Sequence, residues 1–334
     1  PCTKQNSQLK HQMKKAALFI IFAASIFFSL ILGAERIKVT ELFCNGDSFS
    51  KIIFFNIRLP RAILCLIAGI TLAGSGAVFQ MFFRNPLAEP GIMGVSSGAT
   101  LGAVLASCAG VFNTTFFSSL QLGSFLGALI SGALVIAIAG KKSPSALLLC
   151  GTALGTLYSA FSSILLSIND RQLHSIYMWM LGSFSGRGWE ELLFILPPFL
   201  GAVVIFFLCI FKLDILSCGE TNAISLGLSV KKLQLVILIS GALAVSAAVC
   251  AGGTIGFVGL IAPHIARKIF GTKAKTVVPL SMVTGASVLL LSDTICRTVI
   301  SPAELPVGTV TAILGAPFFI SLLFSKKRGI EWMN

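Results

Sequence analysis

Few residues in this chain have the type and spacing that chemistry needs. The clearest are Asp293 and Arg297, an acid and a base four residues apart inside an otherwise apolar stretch. On a helix that spacing brings the two side chains together as an ion pair. His264 follows Pro263 in a second apolar run. Proline frees a backbone carbonyl and an adjacent imidazole can satisfy it, so this histidine reads as structural before it reads as reactive. The nine cysteines are scattered, mostly inside apolar runs (Cys65, Cys108, Cys150, Cys209, Cys250 and Cys296), with no C-x-x-C and no histidine at ligand spacing. They read as small hydrophobes; Cys44 is expected outside the membrane without an obvious partner. Nothing forms a carboxylate relay, a metal-ligand cluster or a convergent catalytic pair. Gly140-Lys141-Lys142-Ser143 approaches a phosphate-binding loop but lacks its first glycine and the Ser/Thr after Gly-Lys. Any nucleotide hydrolysis therefore belongs to another chain.

The elements that must position these residues are set by composition. The chain has 334 residues, 55% of them hydrophobic and only 11% charged, with a mean hydropathy of +0.93. Soluble domains carry roughly a quarter charged residues, so a soluble enzyme and a disordered tail are both excluded. The 25 basic against 12 acidic residues leave a net charge of +13. They form small clusters between apolar runs (Lys14-Lys15, Lys141-Lys142, Lys231-Lys232, Lys273 with Lys275, and Lys326-Lys327-Arg328) and no single stripe with interleaved aromatics, which argues against nucleic acid. Apolar runs of about 20 residues match a bilayer core. The fold class is an all-α, multi-pass membrane protein.

Ten spans are expected near 16–34, 61–81, 92–110, 119–140, 145–167, 191–211, 233–250, 255–270, 276–296 and 305–324. The run at 16–34 is too long for a signal-peptide core and no A-x-A site follows it, so it reads as the first membrane helix. The organisation is a 1–15 cytoplasmic segment, a 16–325 ten-helix body and a 326–334 cytoplasmic tail. With both ends inside, 17 of the 25 basic residues fall on the cytoplasmic side, as the positive-inside rule prefers. Trp189 and Trp179 fall at or near interfaces. Many of the 32 glycines lie in the spans, among them Gly69, Gly74 and Gly76 in the second and Gly123, Gly127 and Gly132 in the fourth. Small residues let helices approach closely where hydrophobic burial gives little. Leu72–Val78 and Leu243–Val249 share L-A-x-S-x-A-V, a weak internal repeat between the second and seventh spans, of the kind inverted repeats produce.

Three stretches carry a family resemblance. The first holds Arg58-Leu59-Pro60-Arg61, Gly74–Gln80, Arg84-Asn85-Pro86-Leu87-Ala88-Glu89-Pro90 and Gly94–Ala99. The second is Gly256–Arg267, reading GFVGLIAPHIAR. The third joins Asp293 and Arg297 to Glu304-Leu305-Pro306-Val307-Gly308 and Gly315–Phe318. Together, over residues 16 to 325, they resemble the permease subunits of the iron-siderophore, haem and vitamin B12 family of ABC importers. The resemblance implies a type II importer permease fold and a transport subunit, not an enzyme. It implies pairing with a second permease copy or homologue, two cytoplasmic ATPase subunits that use ATP and Mg, and an extracytoplasmic binding protein that delivers a metal chelate. No cofactor is expected on this chain. The location implied is the bacterial cytoplasmic membrane.

The resemblance also assigns residues. Arg58, Arg61 and Arg297 match arginines that meet glutamates of the binding protein, though Arg297 is equally placed to pair with Asp293. Glu220, Thr221, Asn222, Ala223, Ile224, Ser225, Leu226 and Gly227 match a coupling helix that fits a groove on the ATPase, with the helix itself drawn from Glu220 to Leu228. Ser143 and Ser145 match a cytoplasmic gate, beside the plainer reading of a Ser/Pro turn. Asn85, Pro86, Pro263, His264, Asp293, Glu304 and Pro306 are expected to be architectural. The rival functions are an ion-gradient-driven secondary transporter and an intramembrane enzyme.

Overall fold

The computed structural model describes residues 2–33, 35, 49–110, 119–140, 142–168 and 173–324. Cys44, Lys141 and the Lys326-Lys327-Arg328 cluster lie outside the described residues. Among the described residues all regular structure is helical. The helices are α1 (Cys2–Ile31), α2 (Phe49–Phe82), α3 (Val95–Ala109), α4 (Ser119–Ala139), α5 (Pro144–Ile168), α6 (Leu173–Met180), α7 (Trp189–Ser217), α8 (Glu220–Ser225), α9 (Val230–Gly252), α10 (Val258–Phe270), α11 (Ala274–Thr298) and α12 (Val307–Phe324). α2 is one 34-residue rod whose turns widen over Ile53–Arg58.

Seven helices are long and apolar enough to cross a membrane, and α3 and α12 contain shorter apolar stretches. All ten expected spans have a helix; α1, α2 and α7 run well past the expected edges, and two others start late. The eighth span begins at Val258, not at 255, because Gly253 and Phe257 both have positive φ and interrupt the chain between α9 and α10. The third begins at Val95, after a short 3₁₀ turn over Pro90–Met93. At about 1.5 Å per residue the 15 residues of α3 and the 13 of α10 fall well short of a 30 Å core. Each is preceded by a non-helical stretch. Such backbone is tolerated at depth only when protein covers it or a cavity faces it. The repeat now has structural content: a long helix, an irregular link and a short helix occur twice, as α2–α3 and α9–α10.

Close packing follows the glycines. On α3 and α4, Gly98 and Gly102 meet Gly123 and Gly127, and a Cβ on Gly102 would lie 2.2 Å from the Gly123 carbonyl oxygen. Only backbone-to-backbone contact explains that distance. α2, α9 and α11 form the centre, where Phe79, Leu64, Ile237, Leu238 and Leu289 are fully buried. Exposed side chains on α1, α5 and α7 include Phe19, Leu149, Phe161, Leu193 and Phe211. Water would penalise that outer surface; lipid or a second subunit would not.

Candidate functional site

Functional side chains gather in three places. The first is at the α1–α2 end of the bundle. Arg61 is buried on α2 just past its widened turns and points across to α11. Its Nη2 donates to Asp293 Oδ1 at 2.8 Å, and Nη1 donates to both oxygens of Glu304 at 2.9 and 3.0 Å. Asp293 is fully buried and also faces Arg297 Nε at 3.0 Å, an ion pair one helical turn along α11. Arg297 Nη2 donates to the carbonyl of Ser29 in α1 at 2.9 Å. Arg58 donates to the carbonyls of Leu30, Ile31 and Glu35. Two arginines thus satisfy carbonyls that the C-terminal end of α1 leaves open.

Arg58, Arg61 and Arg297, expected to meet glutamates of a binding protein, are engaged within the chain in this structure. All three are buried, with residue exposures of 4%, 5% and 5%. Their partners are within the chain. A guanidinium desolvated among apolar helices needs its countercharge beside it. The pairing of Arg297 with Asp293, weighed from their spacing, is present. Glu304, whose side chain is 29% exposed, is the cluster's opening to the surface.

The second place is a cavity of about 380 Å³ where the two irregular links converge. Leu72, Glu89, Pro90, Gly91 and Ser96 line it from the first half; Val245, Thr254, Ile255, Gly256 and Gly259 line it from the second. The Glu89 carboxylate oxygens lie beside Gly91 and Gly259, one glycine from each half. Burial pushes this carboxyl up to about 7. Glu89 stands in the link between α2 and α3, outside the spanning helices. Sequence reading took it as one letter of the RNPLAEP run and missed it as a titratable group. Its only signal was an acid flanked by apolar residues.

Other motif residues make contacts within the chain. The Asn85 side chain accepts from the Leu87 N–H at 2.9 Å, which makes the turn that Pro86 follows through. It does not start α3, which is preceded by Gly94 in a left-handed conformation. Gln80 donates to the Gly259 carbonyl at 3.0 Å and accepts from Arg267, pinning α10 to α2. His264, on α10 with Pro263, packs edge-on to Phe318 of α12 with ring centres 5.6 Å apart. Pro306 directly precedes α12. Trp189 sits exposed at the start of α7, its indole donating to Phe55 O at 3.1 Å. Trp179 is buried on α6, not displayed at an interface. Residues 173–180 were not foreseen as a helix.

The third place is the opposite end of the bundle. The helical length of α2 separates Arg61 from Arg84, and Arg84 reaches Leu216 at the end of α7. There the chain turns through Gly219, at φ +116°, into α8. The helix stops at Ser225, shorter than the Glu220–Leu228 drawn from sequence, because Gly227 at φ +83° reverses the backbone. Ala223 is fully buried under it, while Ile224 and Leu226 are 58% and 71% exposed. Asn222 donates to the Cys218 carbonyl at 2.8 Å and steadies the first turn. Nearby, the Ser143 hydroxyl accepts from the Ala146 N–H at 3.3 Å and so caps α5; Ser145 is exposed. Among the described residues, no group of three or more His, Cys, Asp or Glu is placed to hold a metal ion.

A tightly packed helical body, with a buried ion cluster at one end and a short helix displaying apolar residues at the other, defines a multi-pass membrane permease. The chain belongs to the FecCD transport family, whose model matches residues 20–325. It is 37% identical over 328 residues to the Fe(3+)-citrate import system permease protein YfmE of Bacillus subtilis (strain 168), an alignment covering 96% of this chain and 98% of the relative. It is 36% identical over 335 residues to the hemin transport system permease protein HmuU of Yersinia pestis, covering 97% and 98%. A solved structure of a metal-chelate type ABC transporter in an inward-facing conformation superposes with a TM-score of 0.82 at 36% identity, covering 92% of this chain and 98% of that one.

Proposed function

We propose that this permease is the membrane-spanning subunit of an ATP-driven importer for a metal chelate, in the class of ferric siderophores, haem and cobalamin. It pairs with a second permease copy or homologue. Two ATPase subunits bind its cytoplasmic end and an extracytoplasmic binding protein delivers the solute, in the bacterial cytoplasmic membrane with both termini inside. Alternating access follows when the ATPases move α8 as a rigid lever. ATP and Mg belong to those ATPases.

The observation that carries this reading is α8 itself. A six-residue helix anchored by buried Ala223 has no folding reason to display Ile224 and Leu226; exposed apolar residues so placed mark a partner surface. The passage is supported by α5. Thr152, Thr156, Ser159, Ser163 and Ser167 are all exposed at helical spacing on a largely apolar helix. Hydroxyls such as Thr152, Thr156, Ser163 and Ser167 donate back to carbonyls of their own helix at 2.8–3.0 Å. A lining of satisfied hydroxyls offers weak polarity and no fixed charge, which suits a bulky, shielded solute. Ser143 and Ser145 at the start of α5 are its cytoplasmic gate. The buried arginines keep the outer docking face in shape, with Glu304 at its surface. An ion-driven carrier is not favoured, because the described intramembrane acid Asp293 is already held by two arginines.

The test is Ile224→Asp combined with Leu226→Asp. The permease should purify normally, because both side chains are exposed, but lose its ATPase and substrate-stimulated ATP hydrolysis. Retained stimulation would remove α8 from the coupling role.

A further inference from the structure

Beside α8 lies a cavity of about 670 Å³. Arg84, Lys142 and Lys231 line it, from the ends of three different elements, and Glu220 is the one acid on its wall. Three positive charges less one negative leave +2 on the lining. We propose that this cavity binds the phosphate of an anionic membrane phospholipid.

All three cations are exposed side chains on the cavity wall, and a separate device sets the backbone of each. Arg84 adopts φ +50°, a left-handed backbone that a non-glycine residue rarely takes. Its guanidinium donates to the Leu216 carbonyl at 2.5 Å. Lys142 sits in a loop held by the buried Gln234 side chain, which donates to the carbonyls of Gly140 and Lys142 at 3.2 and 3.3 Å. Lys231 occupies the first turn of α9. A helix N-terminus already carries partial positive charge and disfavours cations. Membrane orientation asks only that lysines lie on this side; it does not ask them to crowd a helix N-terminus that faces two more cations. An anion in the cavity relieves all of these repulsions together.

The remaining wall selects among anions. Phe83, Ile224 and Leu228 give the cavity an apolar side next to its charged one. A free phosphate has no use for that side; the glycerol and first methylenes of a phospholipid do. Basic pockets between helices at the cytoplasmic surface have this character. Binding does not depend on what α8 does. Its consequence does: if α8 is the coupling helix, the lipid clamps the base of the lever and tunes how firmly ATPase motion reaches α5.

Native mass spectrometry of the full detergent-purified chain tests this with phosphatidylglycerol and phosphatidylcholine. Phosphatidylglycerol should be retained in preference. Lys142→Gln with Lys231→Gln should weaken that retention about fivefold per lysine removed, from the usual worth of one cation at an anionic lipid surface. Lys273→Gln with Lys275→Gln, charge-matched and not on the cavity's lining, should leave it unchanged. Hydrogen exchange on the unmodified chain adds a readout free of folding effects: phosphatidylglycerol should protect residues 142–147 and 220–234 more than phosphatidylcholine does. Equal retention of the two lipids, equal loss in both double variants, or displacement of the lipid by millimolar inorganic phosphate would each overturn the proposal. The last result would mark a free-anion site. None of these readouts involves the ATPase, so failure here leaves the coupling assignment standing.

Discussion

Removing the Asp293 carboxylate leaves Arg297 without its ion pair and Arg61 with Glu304 as its remaining countercharge. Asp293→Ala should therefore cost about 3–5 kcal/mol, the range for breaking a buried ion pair from one side. Thermal unfolding of the detergent-solubilised chain measures it. Glu304→Gln, at the exposed edge of the same cluster, should cost about 1 kcal/mol or less. Equal effects at the two positions would contradict the geometry. Charge reversal of Arg61 should act as Asp293→Ala does, through the fold, and any loss of binding-protein affinity would follow from that. At this scale the sequence was partly legible. The i,i+4 spacing of Asp293 and Arg297 announced their pairing. The contacts of Arg61 with residues 232 and 243 positions away could not be read, because spacing carries no information about which distant helix supplies a countercharge. The same limit hid Glu89, whose surroundings come from separate halves of the chain.

Among the elements, the α3–α4 contact has the least room for change. Gly102→Leu drives a side chain into the Gly123 carbonyl. The expected cost is about 3 kcal/mol, the upper end for overpacking, seen as a lower unfolding midpoint and loss of monodisperse protein. Gly110→Leu, at a position with open space around its Cα but φ +60°, should be milder. The helices themselves were legible because twenty apolar residues in lipid have one hydrogen-bonded solution. α6 was not, since eight residues with a buried tryptophan resemble any apolar loop. The breaks before α3 and α10 were blurred for a related reason: hydropathy stays high through Gly253–Phe257 while the backbone leaves the helix.

Across the molecule, charge placement and family agree on a chain that cannot move its solute alone. The +13 excess gathers mostly in clusters assigned to one side. The arginines assigned to the other, Arg58, Arg61 and Arg297, are consumed inside the fold. The passage proposed along α5 leaves its hydroxyl face exposed in one copy. On the same proposal, energy enters at the end that carries α8. The direct measurement is uptake of a radiolabelled ferric chelate into proteoliposomes that hold this permease, its ATPase and its binding protein. The account predicts uptake that requires internal ATP and all three components and that survives collapse of the ion gradients. Uptake by the purified permease alone, abolished by an uncoupler, would contradict it.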